Sequence, residues 1–238
     1  MNEALRKITE RSRRLVFFSG AGVSTASGIP DFRGADGLSG ETWEGLSPEQ
    51  ILSRSFFYLH PDAFYRFYRA RMLYPQARPN ACHRWVLALE RQDRLRGCVT
   101  QNIDGLHRMA GSIRLYELHG SVHRNYCLDC GAEYDLAWLL RTEGVPRCPE
   151  CGGAVKPDVT LYGEPLNPYV LRGARREIAQ CDTLIVAGTS LSVEPAASLL
   201  EGFRGRELVV INRDPTPADA SASLVLRGSV SEIIGEEW

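Results

Sequence analysis

The stretch SGAGVSTASGIPDFRG, Ser19 to Gly34, follows the apolar run Leu15-Val16-Phe17-Phe18. A buried strand that ends in Gly20-Ala21-Gly22 reads as the start of a nucleotide-binding loop, since glycine lets the backbone come close to a diphosphate. The dinucleotide fingerprint then asks for a third glycine at position 25, where this chain has Thr25. The acid that should hold a ribose about 20 residues further on falls in Gly40-Glu41-Thr42, in a loop and not at a strand end. The loop therefore predicts a phosphate cradle and argues against an NAD(P) oxidoreductase. It runs directly into Pro30-Asp31-Phe32-Arg33-Gly34.

Working outward, further short apolar strands are expected at Gly97–Thr100, Arg114–Leu118, Asp182–Ala187 and Glu207–Ile211. Between them lie helical patterns: 2–13 with Leu5 and Ile8 inward, 48–52, Pro61–Leu73 with Phe64, Phe67 and Tyr68 at helical spacing, 81–93 behind an Asn80 cap, and Pro195–Gly202. Continuous apolar strands alternating with helices predict a parallel sheet covered on both faces. The expected fold is α/β, a doubly wound Rossmann-like sheet with a smaller inserted zinc-ribbon and helical lobe. Its divisions are 1–34 with 79–119 and 159–238 as the nucleotide-binding domain, 35–78 as an inserted loop and helical module, and 120–158 as a metal-binding module. Residues 35–47, polar and glycine-rich, predict a mobile loop. Ligands in such sheets bind beyond the carboxyl ends of the strands. Ser19-Gly20, Thr100-Gln101-Asn102 and Gly188-Thr189-Ser190 should therefore meet in one crevice.

Bulk properties narrow the function classes. The 238 residues are 44% hydrophobic and 24% charged, which suits one large core with an inserted lobe. A net charge of −1 gives no reason to expect a nucleic-acid partner. The basic residues are nearly all arginine, with lysine only at Lys7 and Lys156. The N-terminal MNEALRKITERSRR has no apolar core of a secretory signal, and no run approaches membrane-spanning length, so a cytoplasmic location without a membrane partner is expected. The chain begins almost at the core and ends just past it, as a minimal catalytic module would. In a reducing compartment the 7 cysteines call for packing, metal or catalysis rather than disulfides.

Four of those cysteines form two pairs, Cys127-x-x-Cys130 and Cys148-x-x-Cys151, with 17 residues between the pairs. This is a four-thiolate zinc spacing. Each pair is followed by a glycine, Gly131 and Gly152, which can take the positive φ of a metal knuckle. Four thiolates leave no position for water, so one structural zinc is expected. Cys82, Cys98 and Cys181 lie in helix or strand patterns and read as core residues.

Polar residues gather at two further strand ends. TQNIDGLH, Thr100 to His107, presents Gln101, Asn102 and Asp104 within four positions, and an amide beside a carboxylate can recognise a carboxamide. In Tyr116-Glu117-Leu118-His119-Gly120, a histidine stands just past a strand at the mouth of the crevice, where it can act as a base near neutral pH. His60, His83, His107 and His123 have weaker claims. Any one histidine is more often structural than catalytic.

Taken in order, GAGVSTASGIPDFRG, TQNIDGLH, ELHG, the two CxxC pairs and GTSL resemble the sirtuin family of NAD-dependent protein deacylases, from about Arg13 to Ile234. The resemblance implies that NAD is consumed and not used as a hydride carrier, which removes the need for the dehydrogenase fingerprint. Carried over, it implies that Gly20, Ala21, Gly22 and Thr25 line the diphosphate. Asp31 and Phe32 would lie beside the reacting ribose, which Phe32 shields, and Arg33 would add charge near the phosphates. Asn102 and Asp104 would hold the nicotinamide carboxamide with Ile103 beside it, and Gln101 the ribose. Gly188, Thr189, Ser190 and Asn212 would hold the adenosine, with Val230 near the adenine. His119 and Asn102 would be catalytic: the acyl oxygen of a modified lysine bonds to the ribose as nicotinamide leaves, and His119 then deprotonates a ribose hydroxyl that attacks the resulting imidate carbon. Water completes the cycle, and the products would be free lysine, nicotinamide and O-acyl-ADP-ribose. Val159, Leu161, Tyr162, Gly163 and Glu164, with Ser192 and Val193 opposite, would pair with the substrate peptide by strand addition. Without that peptide, 157–164 is an ordinary return strand with a turn.

Two departures carry information. Tyr162-Gly163-Glu164 stands where the family usually has phenylalanine first. Members that prefer succinyl-lysine resemble one another in a Tyr-x-x-Arg pair. Here Tyr65 is followed at that spacing by Tyr68, while Arg69 lies one place later, about 100° around the helix. Tyr65 and Tyr68 could equally be packing residues. The expectation is an uncharged acyl group, acetyl above all. A mono-ADP-ribosyltransferase or NADase in the same pocket, and a noncatalytic NAD sensor, remain as alternatives. The presence of His119 and Asn102 speaks against the sensor.

Overall fold

In the computed structural model, residues 1–33, 37–40 and 42–236 are described. Their helices and strands, in chain order, are α1 (Glu3–Arg11), β1 (Leu15–Ser19), α2 (Pro48–Ile51), α3 (Arg54–Leu59), α4 (Pro61–Arg71), α5 (Ala81–Arg91), β2 (Leu95–Thr100), α6 (Leu106–Ala110), β3 (Leu115–Glu117), β4 (Gly120–Cys127), β5 (Glu133–Asp135), α7 (Leu136–Leu140), β6 (Val155–Val159), α8 (Pro168–Gln180), β7 (Thr183–Ala187), β8 (Glu207–Asn212), β9 (Leu224–Arg227) and α9 (Val230–Ile234).

β1 is buried along its whole length, as a central strand between two helical layers must be. Its side chains divide by pleat. Leu15 and Phe17 join Leu5, Trp85, Val86 and Ile234 in a core under α1, α5 and α9. Val16 and Phe18 join Ala174 and Ile178 in a core under α8. The parallel sheet has the order β3-β2-β1-β7-β8-β9. Succession leaves β1 toward β2 on one side and β7 on the other, so a crevice opens beyond its carboxyl end.

A second, antiparallel sheet has the order β5-β4-β6. An aromatic cluster joins it to α2, α3, α4 and α7: Phe57, Phe64, Tyr65, Phe67 and Tyr68 pack with Val122, Val159 and Leu161.

Three local expectations change. A third helix, α3, stands between the two expected over 48–74, because Ser53 caps it by accepting from Phe56 N–H and His60 then serves both its end and the start of α4. Pro195–Gly202 is not α-helical; six residues, Ala197–Gly202, form 3-10 turns, the form that short helical pieces favour. Within 35–47, Leu38–Gly40 makes a 3-10 turn with Leu38 buried, and Trp43 pairs with Leu46. The mobile loop expected there falls in part on residues 35, 36 and 41, outside the described residues.

The ends of β1 and β7 touch backbone to backbone. Gly22 N–H donates to Gly188 O at 2.9 Å, and Gly188 N–H to Ile211 O at 2.9 Å. Gly188 has a φ of 61°, and a Cβ there would lie 2.5 Å from Val23 N. Gly188→Ala should therefore lower unfolding stability by about 2 kcal/mol or more, from left-handed strain and from the clash. Urea denaturation measures this; a loss under about 0.5 kcal/mol, the range of indifferent surface changes, would contradict the close approach.

Candidate functional site

The crevice beyond β1 has a volume of about 820 Å³. Gly20, Ala21, Gly22 and Thr25 form its floor, Gln101 to Asp104 and His119 one wall, and Gly188 to Ser190 with Asn212 and Val230 the far end. Asp31, Phe32, Arg33, Val159, Leu161, Tyr162, Gly163, Glu164 and Val193 line it as well. The three strand ends singled out in the sequence thus meet.

The floor fits an anion. Two 3-10 turns, Ala21–Val23 and Thr25–Ser27, follow β1. The amides of Ala21 and Thr25 have no hydrogen-bond acceptor among the described residues. Convergent N–H groups of this kind suit phosphate oxygens. Asn80, the cap of α5, ties the loop down: its Nδ2 donates to Val23 O at 2.8 Å and to Ser27 Oγ at 2.9 Å.

The wall is a hydrogen-bonded network with an unforeseen centre, Ser24. Ser24 Oγ donates to Asp104 Oδ2 at 2.6 Å and accepts from Asn102 Nδ2 at 3.1 Å. Asn102 Nδ2 also donates to Gly20 O at 3.0 Å, so both amide hydrogens are used and Oδ1 is the group left for a ligand. Leu106 N–H holds the other oxygen of Asp104 at 2.8 Å. Burial raises the Asp104 pKa, against the lowering effect of Ser24 and Leu106. Gln101 turns its side-chain amide to Thr189 Oγ1 at 3.0 Å.

His119 stands above this wall. Its Nδ1 lies 2.8 Å from Gln101 O. A carbonyl can only accept, so Nδ1 carries the proton and Nε2, which has no partner among the described residues, is the basic atom. Burial holds its pKa below the ordinary histidine value, and the Gln101 carbonyl opposes that shift. Other histidines are placed differently. His107 is buried beneath the loop, 3.2 Å from Ser19 Oγ, with its pKa pushed down to about 4 by burial. His123 Nε2 braces Asp104 O at 3.1 Å.

On the peptide side, Tyr162 spends its backbone on the helical module: its N–H donates to Leu52 O and its C=O accepts from Arg54 N–H, both at 2.9 Å. Glu164 folds back onto Leu161 N–H at 2.9 Å and pairs with buried Lys156 at 3.1 Å. Gly163 keeps both backbone groups without a partner among the described residues. Ser192 does not line the crevice, but its backbone is likewise unpaired there, and its Oγ lies 2.6 Å from Ser190 Oγ.

One expectation needs correction. Tyr65 and Tyr68 do not line the crevice; both are fully buried in the aromatic cluster, where Tyr65 OH donates to Val155 O and packing accounts for them. Arg33 is exposed at the crevice, and its Nη2 lies 3.4 Å from Tyr162 OH. Arg69 is turned away to Gly144 O and Thr142. The sequence reading overlooked that Tyr68 and Arg71 share the Tyr-x-x-Arg spacing. Arg71 lines the crevice with its guanidinium 5.5 Å from the Trp43 ring centre, but Tyr68 faces the core.

The four cysteines of β4, the following turn and the 148–151 turn lie with all sulfurs within 4.8 Å of one another. Cys127–Cys151 at 3.4 Å and Cys130–Cys148 at 3.6 Å approach the S–S edge of about 3.8 Å that four zinc–thiolate bonds require. Gly131 and Gly152 each have a φ of 76°, one per knuckle. Tyr134 OH lies 3.0 Å from Cys148 Sγ and lowers that thiol to about 6. The site fits one metal ion. Atomic emission should find one zinc per chain, and Cys148→Ser should lose it and melt at a lower temperature; a folded chain free of metal would contradict the assignment.

Comparisons with known proteins agree in kind. A model described as the Sir2 family matches residues 20–195. An NAD-dependent protein deacetylase of Clostridium perfringens is 52% identical over 234 residues, 98% of this chain and 96% of the relative. A solved structure titled "Sir2-p53 peptide-NAD+" superposes with a TM-score of 0.85 at 35% identity, covering 98% of this chain and 95% of that one. Another, of a Sir2 variant with deacetylated p53 peptide and 3'-O-acetyl-ADP-ribose, gives 0.87 at 36% identity, covering 98% and 96%.

Proposed function

The chain belongs to the Sir2 family, and on that premise we propose that it removes acyl groups, acetyl foremost, from protein lysines with consumption of NAD. The products are nicotinamide and O-acyl-ADP-ribose, the second being of the kind bound in the related structure. One observation carries the reading. His119 holds a proton on Nδ1 against Gln101 O and presents bare Nε2 in the same wall as Asn102 and Asp104. No carboxylate among the described residues touches its ring, so the base is mild. It suits a hydroxyl already poised beside its electrophile.

NAD, when bound, supplies the electrophilic ribosyl carbon and nicotinamide as leaving group. The chain's residues hold it. Amides of Ala21 and Thr25, with Gly20 and Gly22 allowing close approach, receive the diphosphate. Asp104, and Asn102 through its Oδ1, would hold the nicotinamide carboxamide, with Ile103 beside it. Gln101 would face the ribose, which Phe32 would shield, with Asp31 lining the same crevice. Gly188, Thr189, Ser190, Asn212 and Val230 receive the adenosine. The acyl-lysine peptide enters as a strand between Gly163 and Ser192, next to Val193, with Val159, Leu161, Tyr162 and Glu164 shaping its side of the channel. Catalysis is then mainly positioning, completed by proton removal at His119 Nε2.

No described helix is long and apolar enough to cross a membrane. We place the protein in the cytoplasm, where its metal-binding thiols stay reduced.

The test is nicotinamide release by purified protein with NAD, with and without an acetyl-lysine peptide. Release that needs the peptide and yields O-acetyl-ADP-ribose supports the reading, and His119→Ala should lose about 10²-fold or more in product formation. Release without peptide would indicate an NADase or ADP-ribosyltransferase, and none at all a sensor. Acetyl peptide should outcompete succinyl peptide, because Tyr68 is kept out of the crevice. Because the base works when neutral and its pKa is lowered, activity should persist as pH falls to about 6.5 and fail only below it. An acid limb above pH 7 would contradict this.

A further inference from the structure

Among the described residues, two arginines near the mouth of the peptide channel have no carboxylate partner. Arg54 opens α3 with its backbone N–H on Tyr162 O, and its Cβ lies 4.0 Å from where a Cβ on Gly163 would stand. Its side chain therefore starts within reach of any strand laid on Gly163. The guanidinium rests 5.2 Å from the Tyr58 ring centre and has no carboxylate partner among the described residues. Arg33, across Tyr162, likewise has no carboxylate partner there. Three described glutamates have partners of their own: Glu164 has Lys156 and Leu161 N–H, Glu194 has Ser198 N–H, and Glu44 has Arg66. Against the arginines, Tyr58 is 51% and Tyr162 38% exposed. Arginine and tyrosine at a rim, with no carboxylate partner among the described residues, are the composition of a surface that suits acidic groups.

We propose that Arg54 selects acyl-lysine peptides whose residues next to the modified lysine are acidic. This rests on the deacylase function above and names its substrate class. Arg54 is a specificity residue: it reaches flanking side chains and stands outside the cofactor floor and the His119 wall. The contact is solvent-exposed, so its effect is modest and weakened by salt.

Three acetyl-lysine peptides separate the outcomes, with glutamate, alanine or lysine at the two positions on each side of the acetyl-lysine. In low salt, kcat/KM should be about fivefold higher for the glutamate peptide than for the lysine peptide, mostly through KM, and the ratio should shrink as salt rises. Arg54→Glu should reverse the order while leaving turnover of the alanine peptide near that of the unaltered protein. If Arg54→Glu does not fold, Arg54→Ala should still bring the ratio toward one. Equal kcat/KM for the charged peptides, a preference for lysine, or a preference unchanged in both variants would overturn the proposal with deacylation intact. No turnover of any of the three would instead overturn the functional reading beneath it.

Discussion

The contact between the Gly20–Gly22 loop and Gly188 is the constraint on which the site depends. Gly22 and Gly188 share a backbone hydrogen bond at 2.9 Å, and a Cβ on Gly20, Gly22 or Gly188 would fall 2.5 to 2.8 Å from backbone or side-chain atoms. Side chains there would push β1 and β7 apart at their carboxyl ends. With glycine, the loop lies flat across the sheet, its Ala21 and Thr25 amides have no acceptor among the described residues, and a floor for phosphate is left open. The same flatness brings Gly20 O within reach of Asn102, so the floor and the wall are made by one close approach.

From that floor the site is built by hydrogen bonds that cross between elements. Ser24 joins Asn102 to Asp104, Gln101 reaches Thr189, and the carbonyl of Gln101 sets the tautomer of His119. The strand end after β2 thus carries two duties at once: its side chains face the cofactor region while its backbone orients the base. A parallel device holds the peptide side. Lys156, 3% exposed, pairs with Glu164 and donates to Val159 O, and this fixes the turn at Gly163, whose backbone has no partner among the described residues. In a chain with only two lysines, one is spent on this pin.

The sheet was legible because its strands are short, continuous apolar runs, and β1 could be read from four residues and the glycines after them. The metal lobe was legible from cysteine spacing alone. Helix α3 was hidden because its apolar residues merge with those of α4, and only Ser53 marks its start. Pro195 invited an α-helix that the short, six-residue segment does not make. Within the site, residue types were readable but hydrogen-bond partners were not. Nothing in the sequence says that Ser24 lies between Asn102 and Asp104, since 78 residues separate the first pair and 80 the second. Tyr65 and Tyr68 show the same limit: aromatic residues at helical spacing fit a core or a pocket, and burial in the core decided it. Arg71 was missed because the spacing was counted from Tyr65.

The central claim is that the chain holds its reacting groups in two separable steps, with positioning by the Gln101–Asp104 wall and proton removal by His119. Exchange of labelled nicotinamide into NAD tests it most directly, measured in the unaltered protein and in His119→Ala. The account predicts exchange in both, only when acetyl-lysine peptide is present, with O-acetyl-ADP-ribose formed by the unaltered protein alone. Exchange that proceeds without peptide, or product formed at full rate by His119→Ala, would contradict it.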